Sequence, residues 1–220
     1  MKFKRALQTI ALCCGLVGFG SSNAAVMLFD GVSDTGSILY SGSQDGATLS
    51  ATVQFTLNSL SATQAIFGVV VANNSSGPGS NRLTSFGIDV VSPALSFASS
   101  NNGWDTTLNT NFPSFGRVDL CVWDGSNCSG GASGGVGEGL TESFSLRLWT
   151  TGNFLTNGIE FTSPYAVKFQ SVGTRGDSTE FAGCIVGTAN CGSNPIPEPA
   201  SLALMGLGLL GAALVRRRKA

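Results

Sequence analysis

The sequence predicts an all-β fold, a β-sandwich, for the middle of the chain. Three observations carry that prediction. Short segments alternate apolar and polar residues with a period of two. Clusters of Gly, Asn and Ser separate those segments. No long window between the two chain ends shows a helical period. Many short strands parted by turn residues suit a sandwich, with jelly-roll connections as one form of it. No internal repeat recurs at a fixed period, which argues against a solenoid or a propeller. The 220-residue length fits one domain plus processing segments. About 170 residues remain for the domain, enough to bury one substantial core.

The N-terminus reads MKFKRALQTIALCCGLVGFGSSNAAV. Lys2, Lys4 and Arg5 make a positive start, and residues 6–19 are an apolar run too short to span a bilayer comfortably. Ser22 and Ala24 are small residues spaced for cleavage after Ala24. Residues 1–24 therefore read as a signal peptide, with a buried N-terminal helix as the alternative. The implied first partners are signal peptidase and the secretion machinery. Leu12 before Cys13 is too large for a lipoprotein signal.

The domain, 25–194, opens its clearest strand at ATLSATVQFTLN. There Leu49, Ala51, Val53, Phe55 and Leu57 alternate with Thr and Ser residues and Gln54, so one face is buried and one is wet. Residues 65–72, AIFGVVVA, are apolar on both faces and read as a central strand. Residues 73–81 form a turn-rich loop. Strand patterns recur at Phe86, Ile88 and Val90, at Val118, Leu120 and Val122, and at Phe144, Leu146 and Leu148. Ile159 and Phe161, then Tyr165, Val167 and Phe169, continue them, and residues 181–186 close the series. The Gly-rich stretch 124–139 reads as a hairpin excursion between two strands.

Cys13 and Cys14 leave with the signal peptide. Cys121, Cys128, Cys184 and Cys191 remain, an even count that reads as disulfides in an exported chain. Four cysteines allow three connectivities. The local one, Cys121 with Cys128 and Cys184 with Cys191, is favoured because each loop is short and self-contained. A four-cysteine zinc site is the rival, but six intervening residues exceed the usual two to four.

The C-terminal segment, 195–220, reads NPIPEPASLALMGLGLLGAALVRRRKA from Asn194. The triplet Pro197, Glu198 and Pro199 precedes an apolar stretch, 200–215, expected to be a transmembrane helix. A basic stop cluster follows: Arg216, Arg217, Arg218 and Lys219. At ~1.5 Å per residue the stretch reaches only about 24 Å, short for a full span. The positive-inside bias puts the basic cluster in the cytoplasm and the triplet outside. Prolines keep the triplet extended and open to an enzyme. This order of parts resembles the PEP-CTERM sorting domain of Gram-negative bacteria. The resemblance implies an exosortase as partner, recognition at Pro197, Glu198 and Pro199, and removal of the tail. It implies a transient stay in the inner membrane, then the cell surface or extracellular matrix, and an association with exopolysaccharide.

The formal net charge of −1 hides an asymmetry. Between Arg5 and Arg216 the only basic residues are Arg82, Arg117, Arg147, Lys168 and Arg175, against 13 acidic ones. That middle lacks the basic footprint of a nucleic-acid binder. The absence of His removes the usual general base and the commonest zinc ligand. No nucleophile motif appears. The neighbouring carboxylates Glu138 and Glu142, or Asp119 and Asp124, carry no mark of a buried catalytic pair. The chain is therefore expected not to be an enzyme and to need no cofactor. A structural calcium is the alternative, in loops bearing Asp30 and Asp34, Asp45, or Asp124 near Asn127. Trp104, in the polar stretch SNNGWDTT, is the candidate for glycan contact, since an indole face matches a pyranose face. Trp123 and Trp149 offer such faces too, but Trp149 ends a strand, which favours a place in the core. The predicted role is structural or interactive, with a carbohydrate-binding module as the alternative and an envelope hydrolase third.

Overall fold

The computed structural model describes residues 25–131, 134–188 and 191. The signal peptide, the sorting triplet, the apolar stretch and the basic cluster lie outside the described residues. The described residues form twelve strands: β1 (Met27–Phe29), β2 (Thr35–Gln44), β3 (Ala47–Leu60), β4 (Gln64–Asn73), β5 (Gly79–Val90), β6 (Leu95–Ser99), β7 (Trp104–Phe112), β8 (Gly116–Asp124), β9 (Thr141–Thr150), β10 (Ile159–Val172), β11 (Asp177–Ala182) and β12 (Cys184–Ile185). One helical turn, α1 (Phe154–Asn157), precedes β10. The strands form two antiparallel sheets. Sheet A runs β1-β10-β5-β8-β7, with β11 also on β10. Sheet B runs β12-β2-β3-β4-β9-β6.

The register of sheet B begins at a turn. Asp45 and Gly46 both have positive φ, 47° and 82°. An Asp-Gly pair of that kind joins two strands whose natural twist it matches. It sets Gln44 opposite Ala47, and the pairing then runs unbroken to Thr35 opposite Thr56. A slip of one residue would turn Leu49, Val53 and Phe55 out to water, so the alternation and the turn enforce the same register.

The sheets face each other across a core led by aromatic rings. Phe29 and Phe161 from sheet A meet Phe55 and Phe67 from sheet B, with ring centroids between 5.1 and 6.4 Å apart. Most of these meet edge to face, the arrangement the ring quadrupole favours.

The outer faces of the two sheets differ. That of sheet A is covered. The Cys121–Cys128 disulfide holds the segment after β8 over it, and Ser85 Oγ donates to Cys128 O. Phe112 and Val118 pack there with the disulfide and Ala166 in a second apolar cluster. Ser114 at the β7–β8 turn donates to Glu180, which also pairs with the buried Lys168. As a result β5 is buried on both sides from Leu83 to Ile88. Among the described residues nothing comparable covers the outer face of sheet B.

Several sequence expectations change. Residues 65–72 do form a central strand, β4, but Val70 is 37% exposed because that side of sheet B is open. Stretch 124–139 is not a hairpin: β8 and β9 lie in different sheets, so the segment crosses between them. Residues 181–186 split at Gly183 into the end of β11 in sheet A and β12 in sheet B. A Cβ on Gly183 would fall 2.6 Å from Tyr40, so the chain crosses to sheet B at the one residue that fits there.

Candidate functional site on the open sheet face

Both disulfides adopt the local connectivity, Cys121–Cys128 and Cys184–Cys191. The second ties Cys191 to β12, a few residues ahead of the tail. Trp104 is not an exposed loop residue. It begins β7 and is only 4% exposed. Its indole stacks on Phe144 at 4.7 Å and 18°, and its Nε1 donates to Glu142 Oε2 at 3.0 Å. The polar neighbourhood misled because Asn101, Asn102 and Gly103 form the turn that delivers Trp104 into the core. Glycan contact at Trp104 is excluded by that burial.

Three of the carboxylates offered for calcium, those of Asp34, Asp45 and Asp124, accept hydrogen bonds from the chain itself. Asp34 Oδ2 accepts from the amides of Asp30 and Gly31, which hold its carboxyl below the usual range. Asp45 Oδ2 accepts from Thr174 Oγ1 and the Arg175 amide, with the same effect. Asp124 Oδ2 accepts from Gly135 N, and Asn127 Oδ1 from Ser129 N. Among the described residues no three metal-ligating side chains converge. Of the suspected carboxylate pairs, Asp119 meets Asp89 instead of Asp124. Asp89 Oδ1 accepts from Asp119 N and Asp119 Oδ2 from Val90 N. Burial, with the Asp119 charge adding to it, pushes the Asp89 carboxyl up.

The open face of sheet B has a composition unlike the rest of the domain. The outward positions of β2 are Thr35, Ser37, Leu39, Ser41 and Ser43; those of β3 are Thr48, Ser50, Thr52, Gln54, Thr56 and Asn58. β9 adds Thr141, Ser143, Ser145, Arg147 and Trp149. No carboxylate stands on these strands' outward positions, although the domain as a whole is acidic. Arg147 is their one charge. It has no hydrogen-bond or ion-pair partner among the described residues.

Aromatic residues mark the β9–β6 end of this face. Phe97 pairs with Trp149 across the strands, their rings 5.1 Å apart and tilted by 48°. Phe97 is 58% exposed and Trp149 is half-buried. Ser99 lies opposite Arg147. Beyond β6 the edge of β9 is met by side chains: Asn101 Oδ1 accepts from Ser145 N at 2.7 Å, and Asn102 Nδ2 donates to Ser143 O. The gap left beside them is a cavity of about 210 Å³ lined by Ser99, Ser100, Asn101, Ser145 and Arg147. The Ser100 hydroxyl is buried and lacks a hydrogen-bond partner among the described residues.

Sequence reasoning favoured the core over glycan contact for Trp149 and passed over Phe97. The signal for Trp149 was present: Phe144, Leu146 and Leu148 set the inward parity, so Trp149 follows Arg147 outward. No comparable signal existed for Phe97, because β6 is short and its register shifts between Leu95 and Phe97.

Residues 195–219 match the family model of the PEP-CTERM protein-sorting motif. The match contains Pro197, Glu198 and Pro199 and the whole basic cluster. It marks the chain as exported, with a C-terminal sorting tail processed by an exosortase. Neither a curated protein nor a solved structure matches the chain.

Proposed function

We propose that the mature domain is a non-catalytic surface or matrix component with a structural or interactive role among exopolysaccharide. The observation that carries this is the sorting motif at 195–219, following a domain whose last described residue is stapled to β12. In this reading residues 200–215 hold the protein transiently in the inner membrane. Arg216, Arg217, Arg218 and Lys219 stay on the cytoplasmic side, and the exosortase releases the domain outward. The reading invokes no cofactor, and it is supported by Asp34, Asp45 and Asp124, whose carboxylates accept backbone amides. The hydrolase reading is disfavoured for a related reason, since Asp89 and Asp119 each bind backbone near the other.

A double variant, Pro197→Ala with Glu198→Ala, tests the itinerary. In a host with an exosortase, wild-type protein is expected at the surface or in the medium with its tail missing by intact mass. The variant is expected in the membrane fraction at full precursor length after signal removal. Identical fractionation and mass for the two would sink the assignment. The carbohydrate-binding reading stands second, and one observation favours it: the exposed Phe97–Trp149 pair beside an unpaired arginine.

A further inference from the structure

We propose that the β9–β6 end of the open face binds a polysaccharide that carries uronic acid units. This rests on the reading that the domain works among exopolysaccharide, and it adds the site and the ligand chemistry. The tryptophans make the first argument. Trp104 Nε1 donates to Glu142 and Trp123 Nε1 to Thr107. Trp149 Nε1 has no partner among the described residues. Trp149 therefore offers both a ring face and a free donor, the two things a pyranose with its hydroxyls can use. Phe97 lies against it, largely exposed, and extends the apolar contact.

Charge makes the second argument. A polyanion is repelled by an acidic domain except where carboxylates are missing. The open face is that place, and Arg147 is the only charge on its strands' outward positions among the described residues. Arg147 and Trp149 are two residues apart on the same side of β9, about 7 Å along the strand. A guanidinium can hold a uronate carboxylate by two parallel hydrogen bonds. The adjacent cavity, at about 210 Å³, is smaller than clefts that enclose a whole ligand of drug size, roughly 300–1,000 Å³. It suits one sugar unit of a chain lying along the face. Its Ser99 and Asn101 side chains present hydroxyl and amide groups to that unit.

A protein partner fits less well. Protein interfaces centre on a wide apolar patch, whereas away from the aromatic pair the outward apolar side chains are Leu39 and, on β4, Ile66, Val70 and Ala72, set among short hydroxyl side chains.

Affinity electrophoresis of the exported protein tests the site, in gels containing polygalacturonate or alginate and in gels containing neutral dextran or hydroxyethylcellulose. Wild-type protein is expected to be retarded by at least one uronate polymer, and less so as salt is raised. Arg147→Gln should weaken that retardation about tenfold while leaving any neutral-polymer effect unchanged. Trp149→Ala and Phe97→Ala should each weaken both. Circular dichroism checks folding; if Trp149→Ala misfolds, the other two variants decide. No retardation in uronate gels overturns the proposal. So does retardation that all three variants retain, or retardation by neutral polymers alone. Co-fractionation of wild-type protein with extracted surface polysaccharide separates the two levels. If it co-fractionates while the gel results fail, the site is wrong and the broader role stands. If it does not co-fractionate, the broader role is wrong.

Discussion

Trp104 fills space between Phe144 and Phe86 and satisfies Glu142. Trp104→Ala should therefore cost about 3–5 kcal/mol in urea unfolding, as large buried aromatics do. Trp149→Ala, on the wet face, should stay near the ~0.5 kcal/mol typical of surface changes. Equal losses for the two would contradict their placement. Two aspartates should respond to pH in opposite senses. Asp34 has a depressed folded value. Its contribution is present above the unfolded value of about 3.9 and is lost as pH falls through the folded one. Asp34→Asn should therefore melt below wild type at pH 7, with the gap closing on acidification. Asp89 has a raised folded value, chiefly from burial. Its contribution is present below about 3.9 and is lost as pH rises through the folded value, so ionised Asp89 is a penalty at neutral pH. Asp89→Asn keeps the Oδ1 acceptor and should melt above wild type at pH 7, converging with it on acidification. A lower melting temperature at pH 7 would show that the Asp89 charge is needed.

At the scale of elements, strands whose alternation was unbroken were legible. β3 is the clearest, because every second residue from Ala47 to Leu57 is buried. β2 was not read as a strand, since TGSILYSGSQ contains only three large apolar residues. Its pairing is imposed by the Asp45–Gly46 turn and by β3. β7 was missed because Asp105 and a run of Thr and Asn obscured its inward residues. The outer cover of sheet A also belongs to this scale. Replacing Cys121 and Cys128 together by Ser should cost about 2–3 kcal/mol for a loop this short. Thermal melting of the double variant against wild type checks it; an unchanged melting temperature would mean the crossing segment is held by its hydrogen bonds alone. Gly87→Val should also destabilise, because a Cβ there would sit 2.9 Å from the Phe112 ring.

For the whole molecule, charge, cover and itinerary belong together. One sheet face is sealed by a disulfide-held crossing segment and the end of a hairpin. The other is left open among the described residues, rich in hydroxyls on β2, β3 and β9, apolar along β4, and without carboxylates at those outward positions. A domain delivered outside the cell by its tail thus presents one face to its surroundings. The sequence by itself determined the parts that are local. These are the sorting triplet and basic cluster in their order, the cysteine pairs as short loops, and the two-residue alternation that marks strands. Each is encoded within a few tens of residues. Only the tertiary structure decided which tryptophan is buried, which carboxylates meet, and which sheet face stays open. Alternation states that a residue points to one of two sides. Whether that side meets the core, a covering loop or water depends on strands paired far along the chain, as Phe97 is with Trp149.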